Sequence, residues 1–335
     1  MAYRNGKGRG KKEGAGRNGR NVTGAAEGTE LGWELNVSGI AVGAGSSIIE
    51  YEVASQPECW RLAREVAGKG ILPAAGQRVA IMGCGTSWYV SQAVAAWREA
   101  SEHGTSDAFP ASEMPPGRKY DVVVAISRSG TTTEVLRAVS KVGSDCEIVA
   151  ITTSTMNPLA ARTKTTVTLG FGDEEAEVQT RFATSVMALW RAHLGHDMEE
   201  LVRLGKERLE APLPANLETY RQFVFLGQGP GVGVAGEAAL KMREATQSWS
   251  EAYPAMEFRH GSISVIGAHT LVWALGQLPP GLGDEIRATG SGLVTWDGDP
   301  MVDLVRVHRA AIALAKLKGL DPAHPRGVTR SIVLE

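Results

Sequence analysis

The chain has 335 residues, of which 43% are hydrophobic and 21% are charged, and its formal net charge is −2. This balance is typical of a soluble globular protein with about two domains, and it excludes a chain that is disordered throughout. The first twenty residues hold seven Lys and Arg against one acidic residue, so the rest is net acidic and does not form a general polyanion-binding surface. The three cysteines form no CxxC pair, which argues against a disulfide framework and a structural zinc site.

The N-terminal region is basic and contains few apolar residues. Residues 1–45 consist mainly of Gly, Arg, Lys, Asn and small residues, which bury too little apolar area to offset the entropy of ordering, so we predict a disordered tail. A non-specific contact of this tail with nucleic acid stays open. The chain has neither a run of about 18 apolar residues nor a signal-peptide core, and we predict a cytoplasmic protein without a membrane partner.

The first half after the tail alternates apolar runs with helical segments. A helix begins near Ser55, which can cap it, and Pro57, which can open it. Strands are predicted at residues 78–82, 121–126, 147–152 and 165–169, with helices at 89–102 and 133–142 and one long amphipathic helix at 182–209. Near-continuous apolar strands that alternate with helices predict a buried parallel sheet covered by helices on both faces.

The second half repeats this order of elements after a proline-rich break at residues 211–214. Strands are predicted at residues 222–226, 270–278 and 292–296, with helices at 235–249 and 302–317. We therefore predict an α/β protein with two domains, residues 46–210 and 211–335. The short stretch between Trp296 and Val302 leaves little room for further strands, so the edge of the second sheet is expected to be trimmed.

Two glycine turns follow adjacent strands of the first half and carry clustered hydroxyl groups. Their residues are Gly85, Thr86 and Ser87 in the first turn, and Ser127, Ser129, Gly130, Thr131 and Thr132 in the second. Ligands of open parallel sheets bind at this edge, where backbone N–H groups are free for an anion and glycine permits a close approach. The pattern favours a phosphate site, although Ser, Thr and Gly are also common turn and cap residues.

Residues 231–236 read G-x-G-x-x-G between a predicted strand and a helix, which imitates a dinucleotide-binding fingerprint. Further glycines precede this segment, so the spacing arises easily by chance. Glu257, about twenty residues further on, does not end a recognisable strand, where a ribose contact is expected. We therefore predict no nucleotide cofactor and no other cofactor.

The predicted helix at 235–249 carries a charged stripe. Glu237, Lys241 and Glu244, followed by Ser248, have the spacing of one helix face. An amphipathic helix that faces water explains this stripe. Alternatively, a carboxylate beside a lysine can remove a proton from a carbon acid while the ammonium stabilises the developing enolate. His260 is the histidine best placed for proton transfer. It can equally have only a structural role, in which it satisfies the turn that contains it.

His193 and His196 have the i, i+3 spacing that a pair of metal ligands can adopt. No carboxylate pattern accompanies them, so we predict a solvated helix face and no metal site. The sequence also lacks a motif for a Ser-His-Asp triad or a Walker-type loop.

Taken in order, these motifs resemble those of the double sugar-isomerase (SIS) domain family, most closely the isomerase half of glucosamine-6-phosphate synthase. The matching residues are 56–57, 83–87, 127–132, 236–244, 257–261 and 320–331. The resemblance implies two flavodoxin-like domains and a phosphosugar held by Thr86, Ser87, Ser127, Ser129 and Thr132. It implies that Glu244 moves a proton between C1 and C2 through a cis-enediol or enolamine, that Lys241 assists, and that His260 opens the sugar ring across a homodimer.

The sequence departs from the synthase in two respects. The synthase has an N-terminal glutamine-hydrolysing domain where this chain begins with a glycine-rich tail, so we expect no ammonia to be drawn from glutamine by the chain itself. Arg330 stands where the synthase carries a lysine able to form a Schiff base, and a guanidinium is no amine nucleophile, so we assign Arg330 to substrate binding.

The predicted function is a phosphosugar aldose–ketose isomerase that acts on an amino-sugar or ketose 6-phosphate. Two alternatives stay open: an isomerising deaminase that releases ammonia from glucosamine 6-phosphate, and a phosphosugar-binding sensor without catalysis.

Overall fold

A computed structural model describes residues 47–334, and the predicted tail of residues 1–45 lies outside the described residues. Within that range the chain forms nine α-helices and nine β-strands. The helices are α1 (Ile48–Ala54), α2 (Gln56–Ala67), α3 (Thr86–Ala100), α4 (Thr133–Val139), α5 (Arg181–His193), α6 (Met198–Glu210), α7 (Gly231–Thr246), α8 (Leu282–Ala288) and α9 (Pro300–Leu317). The strands are β1 (Val79–Gly83), β2 (Ser106–Pro110), β3 (Val122–Ile126), β4 (Glu147–Thr152), β5 (Thr165–Thr168), β6 (Gln222–Gly227), β7 (Trp249–Pro254), β8 (Thr270–Leu275) and β9 (Gly292–Val294).

The strands form two parallel sheets flanked by helices, which confirms the predicted α/β class. The first sheet has the strand order β2-β1-β3-β4-β5, and every neighbouring pair is parallel. This is the flavodoxin-like order. The second sheet has the order β7-β6-β8-β9, also parallel, and thus has one strand fewer within the described residues.

The central strands are apolar because both of their faces are covered. Strands β1 and β3 of the first sheet and β8 of the second consist almost entirely of aliphatic residues, and every residue in them is buried. In the first sheet Met82 of β1 pairs with Ala125 of β3, so the two strands end side by side. The turns that follow these two strands therefore lie next to each other at the carboxyl edge of the sheet, as predicted.

Helix α7 of the second half packs closely against α3 of the first half, and glycines allow the approach. A Cβ atom on Gly233 would lie 2.4 Å from the backbone nitrogen of Ala93, and one on Gly236 would lie 2.3 Å from the ring of Tyr89. Gly231 is already the first residue of α7. The glycines of the G-x-G-x-x-G pattern therefore serve helix packing, and they bring α7 next to the turn after β1.

The prediction of a single long helix at residues 182–209 is wrong. The chain forms α5 and α6 instead, and the break contains Gly195 at a positive φ of 79°. Asp197 then caps α6, because its side chain accepts hydrogen bonds from the backbone N–H groups of Glu199 and Glu200. The apolar periodicity continues across the break and conceals it.

Two edge strands were not predicted, and one helix was misplaced. Strand β2 has the sequence SDAFP, which carries little β-branched signal. Strand β7 lies partly where the helix 235–249 was expected, because α7 begins earlier and ends at Thr246, before Gln247 in a left-handed conformation. Ser248 therefore lies outside the helix to which the charged stripe assigned it.

In residues 47–334 no helix is both long and apolar enough to span a membrane. The cytoplasmic location and the domain limits at residues 46–210 and 211–335 stay predictions.

Candidate active site

A pocket lies at the carboxyl edge of the first sheet, where the turns after β1 and β3 meet. It encloses about 230 Å³ of space, including the part open to solvent. The lining residues are Cys84, Ser87, Ile126, Ser127, Arg128, Ser129, Thr132, Gln179 and Arg330. Five of them (Ser87, Ser127, Ser129, Thr132 and Arg330) are predicted substrate-binding residues, so the structure brings these together in one place.

The turn after β3 is shaped by hydrogen bonds among its own hydroxyl groups. Ser127 Oγ accepts a hydrogen bond from the Gly130 backbone N–H at 3.1 Å and lies 3.3 Å from Thr132 Oγ1. Ser129 Oγ accepts hydrogen bonds from the backbone and the side chain of Thr131. Gly130 has a φ of 64°, and a Cβ atom there would lie 2.1 Å from Asn157 Oδ1, so both backbone conformation and space require glycine.

Two arginines line the pocket, and each is paired with a carboxylate. Arg128 is 2% exposed, and its guanidinium lies 3.6 Å from the buried carboxylate of Glu174. Arg330 donates hydrogen bonds to Asp173 and to the backbone carbonyl of Glu174. A further carboxylate, that of Glu52 in α1, is buried nearby, and burial followed by the charge of Glu174 raises its pKa to about 7. The arginines are thus held in place by acidic partners beneath the pocket.

The segment after Thr329 lies against the turn after β3. Ser331 Oγ accepts a hydrogen bond from Thr131 Oγ1 at 2.9 Å, and Ile332 O accepts one from the Thr133 backbone N–H at 3.1 Å. The backbone carbonyl of Arg330 accepts a hydrogen bond from Arg128 at 3.4 Å. These contacts place Arg330 at the pocket, although it lies about 200 residues from that turn in sequence.

The charged stripe of α7 is buried and reaches the turn after β1. Lys241 is 1% exposed and Glu237 is 0% exposed, so the alternative of a water-facing helix surface is excluded for both. Lys241 Nζ donates hydrogen bonds to Thr86 Oγ1 at 2.8 Å and to Glu244 Oε2 at 2.5 Å, and it lies 3.6 Å from Glu237 Oε1. Thr86 Oγ1 also donates to Glu237 Oε1 at 3.3 Å. Thr86 therefore connects this cluster to Ser87, which lines the pocket.

Burial shapes the protonation of the cluster. Desolvation raises the pKa of Glu237 to about 8, although Lys241 opposes the shift. Desolvation also acts to lower the pKa of Lys241, but the charges of Glu237 and Glu244 outweigh it and hold that pKa above its ordinary value. Lys241 is therefore an ammonium at neutral pH. Glu244 has a side chain 17% exposed, compared with 0% for Glu237, and is the carboxylate of this cluster that solvent or a ligand can reach.

His260 is not brought into this cluster. It is exposed, and its side chain makes no hydrogen bond or ion pair within residues 47–334. The prediction that His193 and His196 form a solvated helix face is wrong: both are partly buried, and His196 lies beyond the end of α5. Among residues 47–334 no group of three or more His, Cys, Asp and Glu is arranged to hold a metal ion. The ring of His193 instead contacts the carbonyl of Pro73 at 3.0 Å.

Sequence reasoning missed four lining residues. Cys84, Ile126 and Arg128 lie inside or beside the predicted turns, so their position alone could have assigned them to the pocket. Burial, with the charge of Glu134 as a smaller cause, raises the pKa of the Cys84 thiol to about 11, so it stays protonated. Gln179 lies in an irregular segment between β5 and α5 that carries no recognisable motif, so no signal pointed to it.

Part of the chain matches the model of a known protein family. Residues 72–191, which include the turns after β1 and β3 and reach Gln179, match the SIS domain family model. The match does not extend to the second half, and a second SIS domain at 211–335 stays a prediction.

The chain also resembles longer relatives and solved structures. It is 26% identical to glutamine–fructose-6-phosphate aminotransferase [isomerizing] of Thermotoga maritima, over 77% of this chain and 52% of the relative. An enzyme of the same name from Thermus thermophilus is 26% identical, over 80% of this chain and 54% of the relative. The chain therefore spans about half the length of the curated relatives it matches.

Among solved structures, glucosamine-6-phosphate deaminase of Thermotoga maritima is 25% identical, with a TM-score of 0.73 and coverage of 86% of this chain and 100% of that chain. Tagatose-6-phosphate ketose/aldose isomerase of Escherichia coli has a TM-score of 0.66 at 18% identity, covering 86% of this chain and 98% of that chain, and shares the fold.

Proposed function

We propose that the protein is a phosphosugar isomerase that interconverts the aldose and ketose forms of an amino-sugar or ketose 6-phosphate. The observation that carries the proposal is the contact of Lys241 and Glu237 with Thr86, which joins a hydroxyl-lined, arginine-containing pocket to a buried lysine–carboxylate cluster. An anion site and a proton-transfer group would then act on the two ends of one substrate. Names of relatives that act on sugar 6-phosphates support the same substrate class.

The pocket suits the phosphate end of the substrate. Hydroxyl groups of Ser87, Ser127, Ser129 and Thr132 can donate hydrogen bonds to phosphate oxygens, and Gly85 adds no side chain to the first turn. Gly130 makes room for Asn157, and its N–H already donates to Ser127 Oγ. The guanidinium of Arg330, whose side chain is 42% exposed, can also contact the phosphate, while Arg128 is buried against Glu174. A phosphate is doubly charged or nearly so at neutral pH, and this combination of hydroxyl and guanidinium donors complements it.

The cluster on α7 suits the carbonyl end. Glu244 would take the proton from C2 of the open-chain aldose and return it to C1, through a cis-enediol or, for an amino sugar, an enolamine. The ammonium of Lys241 would stabilise the charge that develops on the carbonyl oxygen, while Glu237 holds Lys241 in place. Arg330 would contact the substrate without forming an imine.

Ring opening would be the task of His260, and we propose that it acts in the active site of a second copy of the chain. His260 is exposed and has no side-chain partner within residues 47–334. A homodimer in which it reaches the neighbouring pocket would give it one. Size-exclusion chromatography with light scattering tests the dimer, and a monomer at micromolar concentration would remove His260 from this mechanism.

The activity can be tested by incubating the purified protein separately with fructose 6-phosphate and glucosamine 6-phosphate. Interconversion of aldose and ketose without ammonia supports the isomerase. Release of ammonia from glucosamine 6-phosphate supports the second candidate, a deaminating isomerase, which the 25% identity to such a deaminase favours.

Glu244→Gln separates catalysis from binding. The amide keeps the shape of the side chain but cannot accept the proton, so turnover should fall at least about 100-fold while phosphosugar affinity stays within about threefold. If the wild-type protein and the variant both bind phosphosugar and neither turns it over, the protein is instead a sensor.

A further inference from the structure

The acceptor group of Gln179 is the feature of the pocket that phosphate binding leaves unexplained. Gln179 lines the pocket, and its Oε1 atom is buried with no hydrogen-bond partner within residues 47–334. A buried acceptor without a partner costs about 1–3 kcal/mol, and native proteins usually satisfy such a group with water or a ligand. The unsatisfied acceptor therefore indicates a donor that arrives from outside the chain.

The segment that carries Gln179 is fixed on both sides. Before it, the carbonyls of Ala176 and Glu177 accept hydrogen bonds from Arg128 at 2.9 and 3.0 Å. After it, both the backbone N–H and the hydroxyl of Thr180 donate to the buried carboxylate of Glu174. Gln179 is thus presented to the pocket by a backbone that has little freedom to withdraw it.

The partner of Gln179 Oε1 cannot be a phosphate oxygen. An ionised phosphate only accepts hydrogen bonds, and the side-chain carbonyl of Gln179 also only accepts them. The other polar lining groups, four hydroxyls and two guanidiniums, can all donate. Among these lining side chains the pocket therefore has donors for the anion and, in Gln179 Oε1, an atom that can only accept.

We propose that Gln179 is a specificity-determining residue that accepts a hydrogen bond from a hydroxyl or ammonium group of the sugar. The residue thereby selects polyhydroxylated phosphate esters over phosphate esters without donor groups. This inference rests on the proposed function, since it takes the phosphosugar to lie in this pocket. It concerns selection among phosphate esters, which the anion-binding turns do not distinguish because they contact only the phosphate.

The test combines a protein change with a ligand change. Gln179→Met keeps the length of the side chain and removes the acceptor. Calorimetry would measure the affinity of the wild-type protein and of the variant for three probes: inorganic phosphate, butyl phosphate and glucosamine 6-phosphate. We expect affinity for glucosamine 6-phosphate to fall about tenfold, which equals ~1.4 kcal/mol, and affinity for phosphate and butyl phosphate to change less than twofold.

Two controls keep the result specific. Gln228→Met changes an exposed glutamine in the turn after β6, where its amide donates to Gln277 O, and it should leave all three affinities unchanged. Gln179→Asn retains the amide but shortens the side chain by one methylene, and it should also weaken glucosamine 6-phosphate binding. This variant replaces Gln179→Met if the methionine variant does not fold.

The outcomes distinguish the two proposals. If the wild-type protein binds none of the sugar phosphates, the proposed function fails and this inference with it. If the wild-type protein binds glucosamine 6-phosphate and the Gln179 variants bind it equally well, or lose all three ligands equally, the role of Gln179 is overturned while the proposed function stands.

Discussion

The turn after β1 and the turn after β6 have the same construction but different chemistry. Each strand ends in a glycine behind which a helix begins at once: a Cβ atom on Gly83 would lie 2.4 Å from Ser87 Cβ, and one on Gly227 would lie 2.0 Å from Gly231 O. The first helix then opens with Thr86, whose hydroxyl contacts Lys241 and Glu237, and with Ser87, which lines the pocket.

The helix after β6 uses its first turns differently. It opens with glycines that allow α7 to approach α3, and its polar residues come later, at Glu237, Lys241 and Glu244. The comparison teaches that a repeated strand–turn–helix unit can supply ligand donors in one copy and a packed, titratable helix in the other. The following predictions test that division, starting with the largest effect.

Lys241→Met should cost the most stability. The change removes the only cation that contacts Glu237 within residues 47–334 and leaves that carboxyl buried, so we expect the free energy of unfolding to fall by about 3 kcal/mol. Urea denaturation at pH 7, followed by tryptophan fluorescence, measures it. Lys316→Met is the matched control, because the pair of Lys316 with Glu50 is partly exposed and should contribute less than about 1 kcal/mol. Equal losses in both variants would mean that the cluster on α7 is no more important than a surface pair.

Gly233→Ala should separate the two helices. The new methyl group would meet the backbone of Ala93 and Tyr89, which cannot move aside as a side chain can, so we expect a loss of about 2 kcal/mol in stability and reduced turnover. Gly143→Ala, at a position with no atom within 4 Å of the new Cβ, is the control. A variant of Gly233 with unchanged urea midpoint and unchanged turnover would show that close packing of α7 on α3 is not required.

Ser129→Ala should weaken phosphosugar binding without unfolding the protein. Loss of one hydrogen bond to a charged group predicts a decrease of about 1–2 kcal/mol in binding free energy, measurable by calorimetry. Ser140→Ala at the exposed end of α4 should leave the affinity unchanged. Equal affinity of the wild-type protein for phosphorylated and unphosphorylated sugar would remove the basis of this prediction.

Glu52→Gln should alter the pH dependence of stability by about 2–3 kcal/mol between pH 5 and pH 8. The pKa of Glu52 is raised from 4.5 to about 7, so between these values the native state holds a proton that the unfolded state has lost, and stability falls as the pH rises. The glutamine variant should lose less stability than the wild-type protein between pH 5 and pH 8 in urea titrations.

Glu50→Gln on the same helix provides the opposite case. Partial burial acts to raise the pKa of Glu50, but hydrogen bonds from Lys316 and Ser47 outweigh it and lower the pKa. Its stabilising contribution is therefore lost only at acidic pH, and the variant should keep the wild-type slope between pH 5 and pH 8. If the Glu50 variant, and not the Glu52 variant, changed that slope, the assignment of the buried group would be wrong.

The parts of the fold that local sequence determines could be predicted. Strands β1 and β3 are buried on both faces and read as unbroken apolar runs, and parallel pairing then places the turns with Thr86 and Ser129 together. The charged spacing on α7 identified Glu237, Lys241 and Glu244, but it could not decide whether they face water, because burial depends on α3, which lies in the other half of the chain.

Features that depend on distant contacts could not be predicted from pattern. Gln179 reaches the pocket because Glu174 and Arg128 fix its segment, and these contacts have no local signature. Strand β7 forms an edge of the second sheet with a mixed sequence that continues a helical pattern. The position of Arg330 was expected from resemblance to a family, and spacing alone would not have given it.

The bond between Thr131 and Ser331 joins residues that are 200 positions apart, and it bears on when the pocket matures during synthesis. A ribosome that adds about 5–20 residues per second needs on the order of 10–40 s to translate the intervening chain. In that interval the first sheet can form while the turn beside it still lacks its neighbours. Ligand binding should therefore emerge late in translation, and it should trail the formation of the first sheet in a refolding experiment.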